Sequence, residues 1–169
     1  MAGLEDLYRE IILDHYRSPR NRGELEIPPA HRSEGFNPLC GDEIILFIEL
    51  SDAEDPDERV IDDIKVGGQG CSISQSSASM MSVAVKGKTV SQARELMRGF
   101  KAMMSIHEST LASDADESSN EPETAADELA LGDLEALRGV VKFPVRIKCA
   151  TLSWNTLDQG FAEDNPPTN

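Results

Sequence analysis

The sequence predicts an α+β fold in one compact domain of 169 residues. The first observation is a pair of short apolar segments, residues 43–50 and 60–66, joined by an acidic turn that contains Pro56. This pattern predicts an antiparallel hairpin. The second is a set of helical patterns on both sides of the hairpin, with apolar residues at intervals of three and four. The third is the chain length, which suffices for a single core, so residues 1–169 are predicted to form one domain.

The N-terminal helix is predicted over about residues 3–17, where apolar side chains recur at helical spacing. Pro19 ends it, because proline disfavours the helical conformation in the residue before it. His15 lies on the apolar side of this helix. We interpret it as a packed, hydrogen-bonded histidine, with a metal ligand as the alternative.

The two strands of the hairpin differ in the regularity of their patterns. Residues 43–50 are apolar and rich in β-branched side chains, as in a well-buried strand. In residues 60–66, apolar side chains alternate along one side, and Asp62 interrupts the alternation. A short third strand is expected either before Cys40, in the otherwise loop-like residues 21–38, or through the glycines that follow the second strand.

Four helices are predicted in the rest of the chain. Residues 72–85 are rich in serine and methionine, and their small side chains allow a helix to pack closely on a sheet. Thr89-Val-Ser-Gln92 forms a capping box that opens the next helix. The last two helices are predicted at residues 131–141 and at about 145–159. Two core-facing stripes follow from helical spacing: Ala93, Met97, Phe100 and Met104, and Ala150, Trp154, Leu157 and Phe161.

Acidic residues are concentrated in the second half of the chain. No lysine or arginine occurs between Lys101 and Arg138, and the segment combines Asp and Glu with Ser, Asn, Pro and Ala. This composition is typical of disorder. We predict a mobile acidic insertion at about residues 108–130, with a cation-binding segment as the alternative. A frayed tail is predicted at residues 162–169.

Charge and composition limit the classes of partner. The net charge of −15, from 31 acidic and 16 basic side chains, disfavours nucleic acid or an anionic membrane. No apolar run approaches the roughly 20 residues of a membrane span. The N-terminus lacks the basic and apolar regions of a secretory signal. Three cysteines fit free or metal-bound thiols in a reducing compartment, so we expect a cytoplasmic protein with no nucleic-acid and no membrane partner.

The three cysteines stand in distinctive local sequences. Cys40 and Asp42 flank a glycine, which lets the loop turn so that both side chains approach one ion. Cys71 and Cys149 each lie near the start of a predicted helix, where the helix dipole favours a thiolate. Three thiolates and one carboxylate suit tetrahedral Zn²⁺, and Arg146 offers a nearby positive charge. The wide spacing alone leaves two interpretations open, one metal site or three ordinary buried cysteines.

Ordered motifs give a second line of inference. Leu39-Cys-Gly-Asp42, Gly70-Cys-Ser-Ile-Ser74 and Pro144-Val-Arg-Ile-Lys-Cys149 resemble the three signatures of the IscU/SufU iron–sulfur cluster assembly family, related to the NifU N-terminal domain. The segment from Asp14 to Gly23 is similar to the N-terminal helix and loop of that family. The chain resembles the SufU branch in two respects. It has an insertion before the last motif, and a lysine precedes the third cysteine where IscU-type proteins carry a histidine.

The resemblance implies a SufE/NifU-like fold, with a small three-stranded antiparallel sheet and helices packed on one face. It implies zinc bound by Cys40, Asp42, Cys71 and Cys149. Cys40 matches the acceptor thiol of the family. In the implied mechanism, a histidine of the donor enzyme replaces Cys40 on zinc, and the freed thiolate attacks the donor's persulfide. Arg146 is expected near the site, where it orients Asp42 or balances the thiolate charge.

The expected function is that of a zinc-dependent sulfurtransferase for iron–sulfur cluster assembly. The resemblance implies a SufS-type, pyridoxal-phosphate-dependent cysteine desulfurase as sulfur donor and downstream iron–sulfur assembly proteins as recipients. The alternative is a scaffold that assembles a nascent iron–sulfur cluster on the three cysteines. Lys148 counts against the scaffold, because a protonated lysine has no lone pair to offer iron. A binding module with purely structural zinc is a third interpretation.

Overall fold

The computed structural model describes residues 4–27, 29–112 and 132–164. The helices are α1 (Leu4–Arg17), α2 (Ser72–Val85), α3 (Val90–Ala112) and α4 (Pro144–Asp164). The strands are β1 (His31–Asn37), β2 (Asp42–Leu50) and β3 (Ile61–Gln69). Two segments are 3-10 helical, Pro56–Glu58 and Gly132–Lys142. No helix in the described ranges is both long enough and apolar enough to cross a membrane.

The sheet has the order β1-β2-β3 and is antiparallel throughout. The predicted hairpin of β2 and β3 is confirmed. The third strand lies before Cys40, while the glycines form the end of β3. β1 therefore occupies the first of the two locations predicted for the third strand, although the pattern of residues 21–38 is loop-like. The reason is that β1 buries the polar side chains of Ser33 and Asn37, so its sequence lacks apolar alternation.

The alternation predicted for β3 is interrupted by a shift in register. The pairing of β2 with β3 is irregular between Glu49 and Leu50, as in a β-bulge. Ile61 and Ile64 are both fully buried as a result, and Asp62 is exposed. A bulge changes which side chains face the core, which explains why Asp62 did not fit a strict two-residue period.

The helices cover one face of the sheet, which confirms the predicted α+β architecture. The alternate side chains Ile44, Leu46 and Ile48 of β2 are fully buried in the shared core. Helix α4 packs over β1 and β2, and α2 packs over β3. Trp154 of α4 stacks on Phe100 of α3 with ring centroids 5.4 Å apart. Both predicted core-facing stripes of α3 and α4 are buried.

Most predicted helix limits agree with the structure. α1 covers the described part of its predicted range and ends at the predicted residue, and α2 has the predicted bounds. In the capping box of α3, the Gln92 N–H donates to Thr89 Oγ1 at 3.1 Å, and the Thr89 N–H donates to Gln92 Oε1 at 3.0 Å. The helix predicted at 131–141 is 3-10 in type over its described residues, which belong to the segment Gly132–Lys142.

The two segments predicted to be mobile are described only at their edges. Helix α3 continues to Ala112, five residues into the predicted acidic insertion, and α4 continues to Asp164, three residues into the predicted tail. The rest of both predictions, residues 113–130 and 165–169, lies outside the described residues.

His15 occupies the packed, hydrogen-bonded environment that we favoured. The residue is 2% exposed. Nδ1 lies 2.8 Å from Ser79 Oγ, and Nε2 lies 2.8 Å from Asp133 Oδ2. The Arg20 N–H also donates to Ser79 Oγ at 2.8 Å. These contacts join α1, the loop after it, α2 and the 3-10 segment Gly132–Lys142.

Candidate metal centre

Three parts of the fold meet at one end of the sheet and carry the predicted ligands. Cys40 lies in the turn between β1 and β2, and Asp42 is the first residue of β2. Cys71 is the N-cap of α2, directly after β3. Cys149 lies in the second turn of α4. The antiparallel register brings the beginning of β2 beside the end of β3, because Glu43 pairs with Gln69.

Three of the four predicted ligands form a compact group. Atoms of Cys40, Asp42 and Cys149 all lie within 4.8 Å of one another, and the Cys149 and Cys40 sulfurs are 3.3 Å apart. Two thiolates bound to one Zn²⁺ at about 2.3 Å each lie at most about 4.6 Å apart. Asp42 and Cys149 are fully buried, whereas Cys40 is partly exposed.

Cys71, the fourth predicted ligand, contacts this group through Asp42. Its backbone N–H donates to Asp42 Oδ1 at 2.8 Å, and its sulfur lies 3.8 Å from Asp42 Oδ2. The same sulfur accepts the Ser74 N–H at 3.4 Å, so Cys71 caps the N-terminus of α2. Asp42 thus bridges the group of three and the fourth sulfur.

A tight turn holds Cys40 in place. The Asn37 carbonyl accepts the N–H groups of Cys40 at 3.3 Å and Gly41 at 2.8 Å. Gly41 has a φ of 69°, in the left-handed region that glycine adopts without strain, so the freedom predicted for this glycine is used. The Asn37 side chain accepts the Leu39 N–H at 3.2 Å and donates to Cys149 Sγ at 3.9 Å.

Asn37 and Gly70 are site residues that the sequence reasoning missed. Asn37 is followed by a proline, and an Asn-Pro dipeptide indicates a turn. This signal could have drawn attention to Asn37. Gly70 was noted only as the first residue of one family motif. In the structure, a Cβ at Gly70 would lie 2.6 Å from Asp42 Oδ1 and 2.7 Å from Ser74 Oγ. A glycine there leaves the space that the buried carboxylate occupies.

The surroundings of Asp42 favour its ionised form. Burial is the largest single influence and opposes ionisation, but hydrogen bonds from the Cys71 N–H, Cys149, Cys71 and Ser74 together lower the pKa of the carboxyl group. Burial raises the pKa of the Cys149 thiol, and its hydrogen bonds to Asp42 and Cys40 raise it further. Binding of a metal ion by Cys149 would therefore have to release a proton.

Arg146 adds a positive charge beside the sulfurs. It lies one turn before Cys149 on α4, and its side chain is exposed. A hydrogen bond to Cys149 raises the pKa of the guanidinium, and attraction to Cys71 and Cys40 raises it further. Of the two roles that we predicted, this placement favours the balancing of thiolate charge, since Asp42 is held by the Cys71 N–H.

The donor set of the site suits zinc. It combines thiol sulfurs, which are soft ligands, with one carboxylate, and Zn²⁺ accepts both. The lowered pKa of Asp42 supplies a ready negative charge. Asn37 and the Cys71 N–H hold two of the donors in position, as partners of metal ligands commonly do. Cys40, Asp42 and Cys149 have the spacing for one ion, and Cys71 lies next to them.

Comparison with known proteins gives the family. The pattern of the NifU-like N-terminal domain family matches residues 7–150. The chain is 42% identical to the zinc-dependent sulfurtransferase SufU of Bacillus subtilis, over 96% of this chain and 95% of that protein. It is 36% identical to the iron–sulfur cluster assembly scaffold protein IscU of Streptococcus pyogenes, over 95% of this chain and 86% of that protein.

A solved structure agrees with the same assignment. It is the crystal structure of a putative iron–sulfur cluster assembly scaffold protein for the SUF system from Fervidobacterium islandicum, which is 32% identical to this chain. The TM-score is 0.66, and the likeness covers 94% of this chain and 99% of the other. The motifs, the fold and these relatives together show that this chain belongs to the NifU-like N-terminal domain family, with the SufU and IscU proteins.

Proposed function

We propose that this protein is a zinc-dependent sulfurtransferase that accepts persulfide sulfur from a cysteine desulfurase for iron–sulfur cluster assembly. The observation that carries the proposal is the grouping of Cys40, Asp42 and Cys149 within 4.8 Å, in which Cys40 is partly exposed and the other two are buried. The 42% identity to a zinc-dependent sulfurtransferase supports the same function.

Cys40, Asp42, Cys71 and Cys149 are the residues that would hold zinc. When bound, zinc keeps thiol ligands deprotonated at neutral pH. Two of the protein's own groups set the charge of the site. Asp42 is held ionised and supplies one negatively charged ligand, whereas Arg146 places a cation beside the sulfurs, which favours the thiolate forms.

In the proposed transfer, the Cys40 thiolate attacks the outer sulfur of the donor's persulfide. A sulfur–sulfur bond forms between Cys40 and that atom as the sulfur–sulfur bond of the donor breaks, and the donor cysteine leaves as a thiolate. Cys40 then carries the persulfide, with no net oxidation or reduction. Cys149 is a poor candidate for the acceptor, because its thiol is fully buried.

The proposed donor is a SufS-type, pyridoxal-phosphate-dependent cysteine desulfurase, and the proposed recipients are downstream iron–sulfur assembly proteins in the cytoplasm. The assignment rests on the SufU-like motifs and on the greater identity to SufU than to IscU among the two relatives compared. The described ranges contain no membrane-crossing helix, which is compatible with this location.

A scaffold function is the second candidate, because the chain is also 36% identical to an IscU scaffold protein. Its cysteines would then hold a cluster in place of zinc. Lys148 disfavours this function, since the position next to Cys149 lacks the histidine of IscU-type proteins. Lys148 is also exposed to solvent.

The experiment combines metal analysis with mapping of the transferred sulfur. We expect about one zinc per chain in the purified protein, with neither iron nor acid-labile sulfide. After incubation with a desulfurase and cysteine, peptide mass spectrometry should find the added sulfur on the Cys40 peptide. The peptides of Cys71 and Cys149 serve as internal controls.

The Cys40→Ala variant should accept no sulfur and should no longer stimulate the desulfurase. Full stimulation by Cys40→Ala would overturn the assignment of Cys40 as acceptor. Iron with matching sulfide in the purified wild-type protein would instead favour the scaffold function.

A further inference from the structure

We infer that Leu39, Phe143 and Val145 form an apolar docking surface around Cys40, bordered by basic side chains, for an apolar and acidic surface of the sulfur donor protein. The inference rests on the proposed function, because it requires a donor that brings its persulfide to Cys40. It adds the residues that recognise the donor and the chemistry that the donor must present.

The three side chains are large, apolar and exposed beside the cysteines. Leu39 is 70% exposed, Phe143 is 62% exposed and Val145 is 61% exposed. Leu39 directly precedes Cys40, whose sulfur lies 3.3 Å from that of Cys149. Val145 precedes Cys149 by four residues on α4, so the two lie on the same side of the helix. Phe143 directly precedes the first residue of α4.

Hydrogen bonds fix the main chain at Leu39 and Phe143. The Leu39 N–H donates to the Asn37 side chain at 3.2 Å. The Phe143 N–H donates to the Val140 carbonyl at 2.8 Å, and the Phe143 carbonyl accepts the Arg146 N–H at 2.8 Å. Apolar side chains on an ordered main chain at the mouth of a reactive site are suited to anchor a protein partner, since less conformational freedom is lost on binding.

The charges around this surface differ from those of the chain as a whole. The protein carries a net charge of −15, yet residues 142–148 contain three basic side chains and no acidic one. Lys142, Arg146 and Lys148 are all exposed. The site's carboxylate, Asp42, is fully buried. A donor with acidic groups around an apolar patch would be attracted to this end, while the rest of the molecule would repel it.

The chain offers a matched pair of substitutions to test the apolar contacts. Val145→Ser and Val83→Ser make the same change at two exposed helical valines, which are 61% and 53% exposed. Val83 lies near the far end of α2 from Cys71. We expect Leu39→Ser combined with Val145→Ser to weaken binding of a SufS-type desulfurase about tenfold or more, whereas Val83→Ser leaves the Kd unchanged.

A second matched pair of substitutions, Lys148→Glu and Lys88→Glu, tests the contribution of the basic side chains to donor binding. Lys148→Glu should slow association with the desulfurase and reduce the dependence of the association rate on salt. Lys88→Glu changes the total charge equally but lies in the turn between α2 and α3, so it should have a much smaller effect. The association and dissociation rates are measured by biolayer interferometry at low and high salt.

Sulfur transfer from a small-molecule persulfide, together with zinc content, separates docking from chemistry. The docking variants should accept sulfur from the small donor as the wild-type protein does. If the wild-type protein accepts sulfur from both donors and the variants bind the desulfurase normally, the docking surface is wrong and the proposed function stands. If the wild-type protein accepts sulfur from neither donor, the proposed function is wrong and the docking surface falls with it.

Discussion

Replacement of Gly70 by alanine adds one methyl group against the buried carboxylate of the candidate metal centre. The new Cβ would lie 2.6 Å from Asp42 Oδ1, 2.7 Å from Ser74 Oγ and 3.1 Å from the Asp42 main chain at its α-carbon. The main chain of β2 has little freedom to move, because it is paired with strands on both sides. The side chains of Asp42 and Ser74 are therefore the groups that must give way.

The expected losses in stability and zinc affinity follow from the contacts that Asp42 would lose. A rotated carboxylate breaks the 2.8 Å hydrogen bond from the Cys71 N–H and leaves its place beside Cys40 and Cys149. Forcing a methyl group into a packed site costs about 1–3 kcal/mol of folding free energy. Loss of a partner that positions a metal ligand typically lowers affinity by about 10- to 100-fold, or about 1.4–2.8 kcal/mol.

Gly67→Ala is the control, three residues earlier in the chain. A Cβ there would lie 3.6 Å from the Cβ of Ile45, an ordinary packing distance. Zinc affinity is measured by competition with a chromophoric chelator, and stability of the metal-free proteins by urea unfolding. We expect Gly70→Ala to lose affinity and stability and Gly67→Ala to keep both. Wild-type zinc affinity in Gly70→Ala would refute the assignment of Asp42 as a ligand held in place by this close packing.

Two further predictions concern α1 and the loop after it. His15→Ala should lower the free energy of unfolding in urea by about 2–3 kcal/mol, with no loss of zinc, since it leaves a cavity and removes the hydrogen bonds to Ser79 and Asp133. Ser79 keeps its hydrogen bond from the Arg20 N–H. Zinc loss would instead mean that His15 is a ligand. Arg20 holds the pKa of Asp14 below its usual range, through a 2.5 Å hydrogen bond and then through attraction between the charges. Arg20→Ala should raise that pKa, as followed by NMR titration, and an unchanged pKa would contradict the pairing. Because the folded pKa is the lower one, the small stabilisation exists above the ordinary carboxyl pKa and disappears as the pH falls through the folded value.

The helices could be predicted because their signals are local. The capping box at Thr89 was visible as four adjacent residues, and both of its hydrogen bonds are present. The core stripe of α4, with Trp154 at its centre, follows from a spacing of three and four residues along one segment. Such patterns depend on one helix facing one core, and they need no knowledge of where the partner elements lie.

The edge strand and the bulge could not be predicted in the same way. β1 packs small polar side chains against α4, and the Ser33 hydroxyl donates to the Thr156 carbonyl at 2.9 Å. The buried hydroxyl of Ser33 therefore has a hydrogen-bond partner on α4, and the sequence pattern of β1 does not indicate this partner. The bulge opposite Leu50 depends on the pairing of two strands, so neither strand alone indicates it.

The spacing of residues along the sequence could predict only part of the candidate site. Cys40 and Cys149 are separated by more than a hundred residues, and their sulfurs meet because α4 packs across β1 and β2. The spacing of the cysteines could not distinguish a metal site from three buried thiols. The resemblance to a family supplied the predicted set of four ligands. Neither approach indicated Asn37, whose side chain connects the Cys40 turn to Cys149.

The three thiols differ in how much of the fold would be disturbed if each one moved, and this difference supports Cys40 as the proposed acceptor. Cys149 is enclosed in the core, so its displacement would open buried packing. The Cys71 sulfur accepts the Ser74 N–H, and loss of such a helix cap costs about 1 kcal/mol. Cys40 lies in a turn next to Gly41, and a turn can shift without unwinding a helix or exposing core. Among the three thiols, Cys40 can therefore approach a bound partner at the least cost in folding free energy.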